Sequence, residues 1–523
     1  MKQKIPSGVT HLNLPDIQGL LLRGYKGFDY IRHMIFRIDD IKGIQALCKA
    51  LLPHSGSPVV ITDSTTWPVT TAKPAYRLNI ALTSTGVTKI VGNANYGAVA
   101  NASSTLFSLF TPGAVADAPN IGDVGTNDPK NWWPKPGWQL TTAPKLDQDF
   151  DFVLSLYART PAGREFYCEM LSSMVSAGAA ELTFQQDSDP LPAGPEVIHF
   201  GYQDGISQPR IDGAPGGTVE SAPPGTPPGA LLSLASAKPG DDPDDRPKVP
   251  SWNFIIEDGA APNYNAHPFL VNGSFGAFRL LYQDVQKFEA LIASQPDPEK
   301  LAAKMCGRWR DGTPLEVSPE KPDPSFKGFD LTNFQYLSPS QHQRGPKPEP
   351  DTGQVCPYAA HIRRTNPRDD TNVLGNAGEG NADAVQHRIL RRARPYGPAY
   401  VPGEQADRGL VGYFIGANLT AQFHFLMQTW MIAGGFAPLT DGSPNQSGYD
   451  PLFGPSPAPP PPPVGSSSFE YCTTNDPSDP SSYTTVPTPP SAMPQLVITK
   501  GGLYVFFPSI TALALMAEGK ITS

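Results

Sequence analysis

Three short segments carry side chains whose types and spacing suit redox or acid–base chemistry. The first, His199-Phe200-Gly201-Tyr202-Gln203-Asp204-Gly205-Ile206-Ser207-Gln208-Pro209, sets one carboxylate between two glycines. Such glycines let the backbone turn sharply and approach a ligand closely, which aims Asp204 into a cavity. An ordinary Asp-Gly surface turn has the same signature. The second, Cys356-Pro357-Tyr358-Ala359-Ala360-His361-Ile362-Arg363-Arg364-Thr365-Asn366-Pro367-Arg368, places two alanines before a histidine. Small residues there leave room for a flat cofactor beside the imidazole, and the arginines suit acidic groups on it. A structural, hydrogen-bonded histidine fits the same description. The third, Arg388-Ile389-Leu390-Arg391-Arg392-Ala393-Arg394-Pro395-Tyr396-Gly397, holds four arginines within seven residues. It is either a solvated basic face or a stretch that sends one guanidinium inward.

Other chemistries lack their signatures. There is no G-x-S-x-G, no Walker loop and no H-E-x-x-H, and the glycine-rich stretch 375–380 follows no strand and reads as a turn. Forty basic against 49 acidic side chains leave a formal charge of −9, without the lysine/arginine block of a phosphate-tracking surface, so nucleic acid is not an expected partner. Five dispersed cysteines, with no C-x-x-C, indicate neither a disulfide framework nor a zinc knuckle. The N-terminal residues lack an apolar leader, and the most apolar run, 503–517, is broken by Pro508, Ser509 and Thr511. A soluble cytoplasmic protein without a membrane segment is expected, with secretion after removal of a leader as the alternative.

The elements that must position these segments follow from hydrophobic period. Alternation at 30–38, 78–82, 150–156 and 181–186 predicts strands, with helical spacing at 41–51 and 161–174; Thr160-Pro161 reads as N-cap and first helical residue. The second half repeats the order: strands near 275–282, 410–415 and 496–507, helices near 284–293, 298–305 and 420–432. Each half is βαβ-βαβ, an α+β arrangement. The 60 prolines in 523 residues are densest in 223–250 and 438–494, which read as surface insertions that act as spacers or, alternatively, as a proline-recognition ligand. The expected division is an N-terminal module over 1–222, the insertion 223–250, and a C-terminal module over 251–523 interrupted at 438–494.

Together the three segments resemble the dye-decolourising peroxidases. The family's G-x-x-D-G motif is matched by Gly201 to Gly205, its histidine segment by 356–368 and its arginine segment by 389–397, in the family's order. Asp16-Ile17-Gln18-Gly19, Gly273-Ser274-Phe275, Cys306-Gly307-Arg308-Trp309 and Phe423-His424-Phe425 extend the likeness over most of the chain outside the insertions, and the wording looks more like the larger bacterial members. The resemblance implies two ferredoxin-like modules, with one haem b held in the second.

Carried over by motif, the resemblance makes His361 the proximal iron ligand. Asp204 becomes the proton shuttle, and Arg391 the stabiliser of the departing peroxide oxygen. Gly205, Ile206, Ser207, Asn366, Pro367, Arg368 and Arg391 would touch haem, Arg368 through a propionate. The implied activity is oxidation of dyes, phenols and similar donors by hydrogen peroxide, in one-electron steps through a ferryl porphyrin radical, by a monomer or homodimer. An acidic optimum follows from a carboxylate shuttle beside an arginine. Bulky donors are expected to react at the surface, with Trp309 and Trp430 as relay candidates that are equally suited to a core. Two positions depart from the family: Gly412-Tyr413 stands where bulky apolar residues often cover the pocket, leaving it more open or reshaped by Tyr413, and Ala393 replaces a polar residue. The alternatives are a non-enzymatic haem protein for transport, sensing or iron release, which has no need of Asp204 or Arg391, and a proline-rich interaction protein on an inert scaffold.

Overall fold

Four strands, β1 (Tyr30–Ile38), β2 (Tyr76–Leu82), β3 (Phe152–Ala158) and β4 (Ala180–Ser188), lie in the order β4-β1-β3-β2, every pair antiparallel. The computed structural model describes residues 12–65, 74–133, 150–175, 179–214, 249–258, 266–327, 331–332, 334–336, 353–368, 384–432, 450–453, 469–473, 483–486 and 493–522. The later strands β5 (Ser274–Gln283), β6 (Leu390–Tyr396) and β7 (Gly409–Gly416) share a sheet with β10 (Val497–Phe507), in the order β10-β5-β7-β6. A short hairpin of β8 (Phe469–Cys472) and β9 (Tyr483–Val486) stands apart. With strands numbered within each half, both orders read 4-1-3-2, the ferredoxin-like topology made by two split βαβ units.

The two halves meet as one eight-stranded sheet through Leu82 of β2 and Phe506 of β10. The sheet rolls until its ends approach, where Ser188 Oγ of β4 donates to the Pro395 carbonyl of β6 at 2.5 Å. Side chains from both modules interlock inside. Tyr413 of β7 shares a 2.7 Å hydrogen bond with Ser155 of β3, and Ser155 meets His33 Nδ1 of β1 at 2.8 Å. The His33 ring lies 5.3 Å from Phe278 and 5.7 Å from Tyr413. Apolar strand faces close over this interior, and β3 is buried throughout its length.

Helices arise where the helical spacing predicted them. Thr160 caps Pro161–Met174 by accepting from Gly163 N at 3.0 Å, and Asp284 and Asp297 cap Val285–Ala293 and Pro298–Cys306 in the same way. Ser84–Val91, Asn93–Ala102, Ser104–Phe110 and Gly113–Asp117 also form helices, in a stretch whose mixed Gly, Ala, Ser and Asn content hides the period. The predicted 420–432 helix is wound as π-helix over Thr420–His424 and Leu426–Met431. Nearly all of 223–250, and the 375–380 turn, lie outside the described residues. Among the described residues, no helix is long and apolar enough to cross a membrane.

Candidate active site

One cavity lies against β5, β6 and β7, and His361, Asp204 and Arg391 all line it. Asp204 sits in the loop read from sequence, where Gly201 and Gly205 take φ of +85° and +79°, a left-handed conformation that glycine adopts without strain. Its Oδ1 accepts from the Gly205 N–H at 2.6 Å and from Arg391 Nη2 at 3.2 Å, so Oδ2 is the oxygen without a protein partner among the described residues. Burial pushes the carboxyl up, but Arg391, the Gly205 N–H and Arg394 outweigh it and hold the group below its ordinary value of 3.8.

Arg391 comes from β6, which the sequence reading did not recognise as a strand. Alternation along it sends Ile389, Arg391 and Ala393 to the cavity, while Arg392 turns away to donate to the Leu20 carbonyl at 3.0 Å. One inward guanidinium from a run of four is thus what the fold produces. Across the adjacent β7, Leu410 and Phe414 face the cavity. Tyr413 does not reshape the pocket: it points into the interior between the modules, as period-2 geometry requires of the residue before Phe414.

His361 opens the short helix His361–Thr365. Its Nδ1 lies 2.5 Å from Asp450 Oδ2, and the other Asp450 oxygen accepts from the N–H groups of Leu452 and Phe453 at 2.9 and 3.1 Å. Burial lowers the imidazole pKa, yet the Asp450 carboxylate prevails and raises it. With Nδ1 so occupied, Nε2 is the nitrogen available to a metal, and the carboxylate makes it a stronger donor. Asp450 is fully buried, although it belongs to 438–494, which the sequence presented as a surface insertion. At residues 450–453 that expectation does not hold: a tertiary contact spanning 89 residues draws Asp450 into the site.

Of the remaining expected contacts, Ile206, Ser207, Asn366 and Arg368 line the cavity; Gly205 is exposed at its turn and Pro367 is buried, neither among the cavity-lining residues. Arg368, at φ +54°, donates to the Thr332 and Phe334 carbonyls at 3.0 and 2.8 Å and lies over the Phe334 ring. Beside it stand two cations that received no role from the sequence. Arg308 donates to Ser207 Oγ at 2.9 Å, and its pKa is lowered to about 10 by burial and by neighbouring Arg368 and Arg391; Arg388 donates to the Ser207 carbonyl at 2.8 Å. Arg308 was visible only as part of Cys306-Gly307-Arg308-Trp309. Neither Trp309 nor Trp430 reaches the surface: they are 3% and 5% exposed, and the Trp309 indole N–H is taken by the Ser318 carbonyl.

These groups fit a haem. Apolar side chains from Leu281, Phe414, Met427 and Leu452 line the walls, a single neutralisable imidazole faces the cavity, and three clustered guanidiniums suit two propionates. A carboxylate–guanidinium pair sharing one cavity with a histidine that could hold haem iron is, on a doubled ferredoxin-like frame, the class of site a haem peroxidase would need.

The comparisons agree. No family model matches the chain. It is 28% identical over 520 residues to Peroxidase 2 of Mycetinis scorodonius, spanning 96% of this chain and 87% of that protein. It is also 28% identical to dye-decolorizing peroxidase AauDyP1 of Auricularia auricula-judae, over 96% and 87%. Multifunctional dye peroxidase DyP2 of Amycolatopsis sp. (strain ATCC 39116 / 75iv2) is 30% identical over 61% of each chain. The crystal structure of the DyP-type peroxidase from Auricularia auricula-judae superimposes with a TM-score of 0.71 at 25% identity, covering 97% of this chain and all of the other. Relatives matched over nearly the whole chain are named dye-decolorizing peroxidases, and solved structures like it in fold are DyP-type peroxidases.

Proposed function

We propose that this protein is a haem peroxidase that oxidises dyes, phenols and related organic donors with hydrogen peroxide, holding one haem b per chain through His361. The observation that carries the site assignment is the sharing of one cavity by the His361 imidazole and the Asp204–Arg391 pair. Haem bound there supplies an iron that accepts peroxide and takes up its two oxidising equivalents, to be returned by electrons from donors one at a time.

The protein's own residues supply the proton traffic and the field. Asp204 Oδ2, with Oδ1 already engaged, takes a proton from one peroxide oxygen and returns it to the other, which departs as water. Arg391 Nη groups stabilise negative charge on that departing oxygen and keep the peroxide aligned. Asp450 fixes the imidazole tautomer with the proton on Nδ1 and holds the ring in orientation. Arg308, Arg368 and Arg388, which line the same cavity, would hold the acidic groups of the cofactor.

A transport or sensing protein has no use for the Asp204–Arg391 pair. Asp204→Ala and Arg391→Ala, each loaded with haem, separate the two readings. A peroxidase loses its peroxide reaction by about two orders of magnitude or more in each variant while keeping its haem. Unchanged reaction in both refutes the assigned roles.

A further inference from the structure

The Asp204 loop and the Arg391 strand are 187 residues apart in sequence, and the 3.2 Å contact between their charged ends joins two side chains each about one-third exposed. Such a contact does little to fix geometry by itself. The backbone is held by something else. β6 ends the sheet order, so one row of its peptide groups has no neighbouring strand of the sheet. At Arg391 that row is met by a side chain from the Asp204 loop: Gln208 Oε1 accepts from the Arg391 N–H at 3.1 Å, and Gln208 Nε2 donates to the Arg391 carbonyl at 3.0 Å. A carboxamide presents one acceptor and one donor side by side, the pattern a residue of an adjacent antiparallel strand would offer.

We infer that Gln208 is a positioning residue for peroxide activation: its carboxamide acts as a one-residue strand that locks the Arg391 backbone to the Asp204 loop and thereby sets the spacing of carboxylate and guanidinium. The consequence for catalysis rests on the peroxidase reading above; the contact does not. Arg392 Nη1 also reaches the Arg391 carbonyl, at 3.2 Å, but the Arg391 N–H has Gln208 as its acceptor. The loop is anchored just before the clamp. Asp204 N donates to the Glu196 carbonyl at 2.7 Å, and Ser207 takes Arg308 on its hydroxyl and Arg388 on its carbonyl. A fixed loop thus grips an edge strand. Pro395, four residues further along β6, is a residue that edge strands tolerate and inner strands do not, in keeping with an outer row served by side chains. Asparagine is one methylene too short to make both bonds from the same backbone position, whereas glutamate keeps the acceptor and loses the donor when ionised.

The test uses the haem-loaded protein with Gln208→Ala and Gln208→Glu, each also combined with Arg391→Leu. Exchange of the Arg391 amide proton reads the clamp directly, and the rate constant with hydrogen peroxide and the acid limb of its pH profile read the consequence. The charged and titratable groups around Asp204 are Arg391 and Arg394 of β6, with His361 and Cys306 also within electrostatic reach. Gln208→Ala is expected to speed Arg391 exchange roughly tenfold. It should also slow the peroxide reaction on the order of 10- to 100-fold and move the acid limb upward, since a displaced guanidinium no longer holds Asp204 down. Haem content and the ligation spectrum stay as in the parent. In Arg391→Leu, adding Gln208→Ala changes the peroxide rate less than about twofold, because the group being positioned is gone.

Faster exchange with an unchanged rate and acid limb overturns the positioning role, as does a full independent loss in the double variant. Unchanged exchange overturns the clamp itself. Should Gln208→Ala fail to fold, the nearly isosteric Gln208→Glu carries the same readouts, with smaller shifts in the same directions. A parent inert to peroxide removes the peroxidase reading and with it the catalytic consequence, while the exchange measurement still decides whether the clamp exists.

Discussion

Asp204 and Asp450 show how differently two carboxylates of one site can be read. Asp204 was legible because its neighbours are glycines, whose use at a turn with positive φ is a local fact. Asp450 was not, because the segment around it gives no local sign of burial and its partner lies 89 residues away. Its role yields a prediction: Asp450→Asn should weaken haem affinity roughly 10- to 100-fold and alter the ligation spectrum, by titration of the unloaded protein with haem. Asp204 yields another. Its pKa is depressed in the fold, so its ionised form persists to lower pH; the pair's contribution to stability is present above about pH 4 and is lost as pH falls through the depressed value. The acid limb of the peroxide rate constant is therefore expected below 3.8 in the parent and higher in Arg391→Leu. An acid limb unmoved by that substitution would contradict the assigned pair.

Among the elements, most strands announced themselves and β6 did not. β1, β2 and β5 alternate apolar residues in the ordinary way, but β6 carries guanidiniums on both faces and a proline, so no hydrophobic period marks it. Its arginines read as a surface run for the same reason. Neighbouring β7 shows why position 412 is glycine. At φ +149° it faces Arg392 and Ala393, and a Cβ there would come within 2.1 Å of the Arg392 carbonyl oxygen. Gly412 is a contact between β7 and β6 and does not line the cavity. Gly412→Ala is expected to force the two strands apart, lowering stability by about 1–3 kcal/mol in denaturant unfolding and slowing the peroxide reaction through displacement of Arg391. Gly403→Ala, in an open turn with nothing near its Cβ, is the control for backbone strain alone.

At the scale of the whole molecule, a pair of ferredoxin-like modules was expected, but the way the halves close on one another was not. Polar residues inside strands, such as His33 and Ser155, gave no hint that they would meet Tyr413 from the other half. Burial there lowers the His33 pKa to about 3, so the fold keeps it neutral where the unfolded chain protonates it. The unfolded state then binds more protons between about pH 6.5 and 3, and stability falls as pH drops through that window, by up to about 1.4 kcal/mol per pH unit from this one group. Urea unfolding across that range should show the slope, and His33→Asn should flatten it. An enzyme so built keeps Asp204 ionised well into acid but survives there less well, a split visible by comparing initial rates with activity after incubation. The most direct test of the central claim is the visible spectrum of the haem-loaded protein before and within a second of one equivalent of hydrogen peroxide, with His361→Ala, Asp204→Ala and Arg391→Ala alongside. The account predicts rapid conversion of a ferric spectrum in the parent, altered ligation in the His361 variant, and intact haem with slowed conversion in both distal variants. A parent spectrum indifferent to peroxide, or distal variants that convert as fast as the parent, would contradict it.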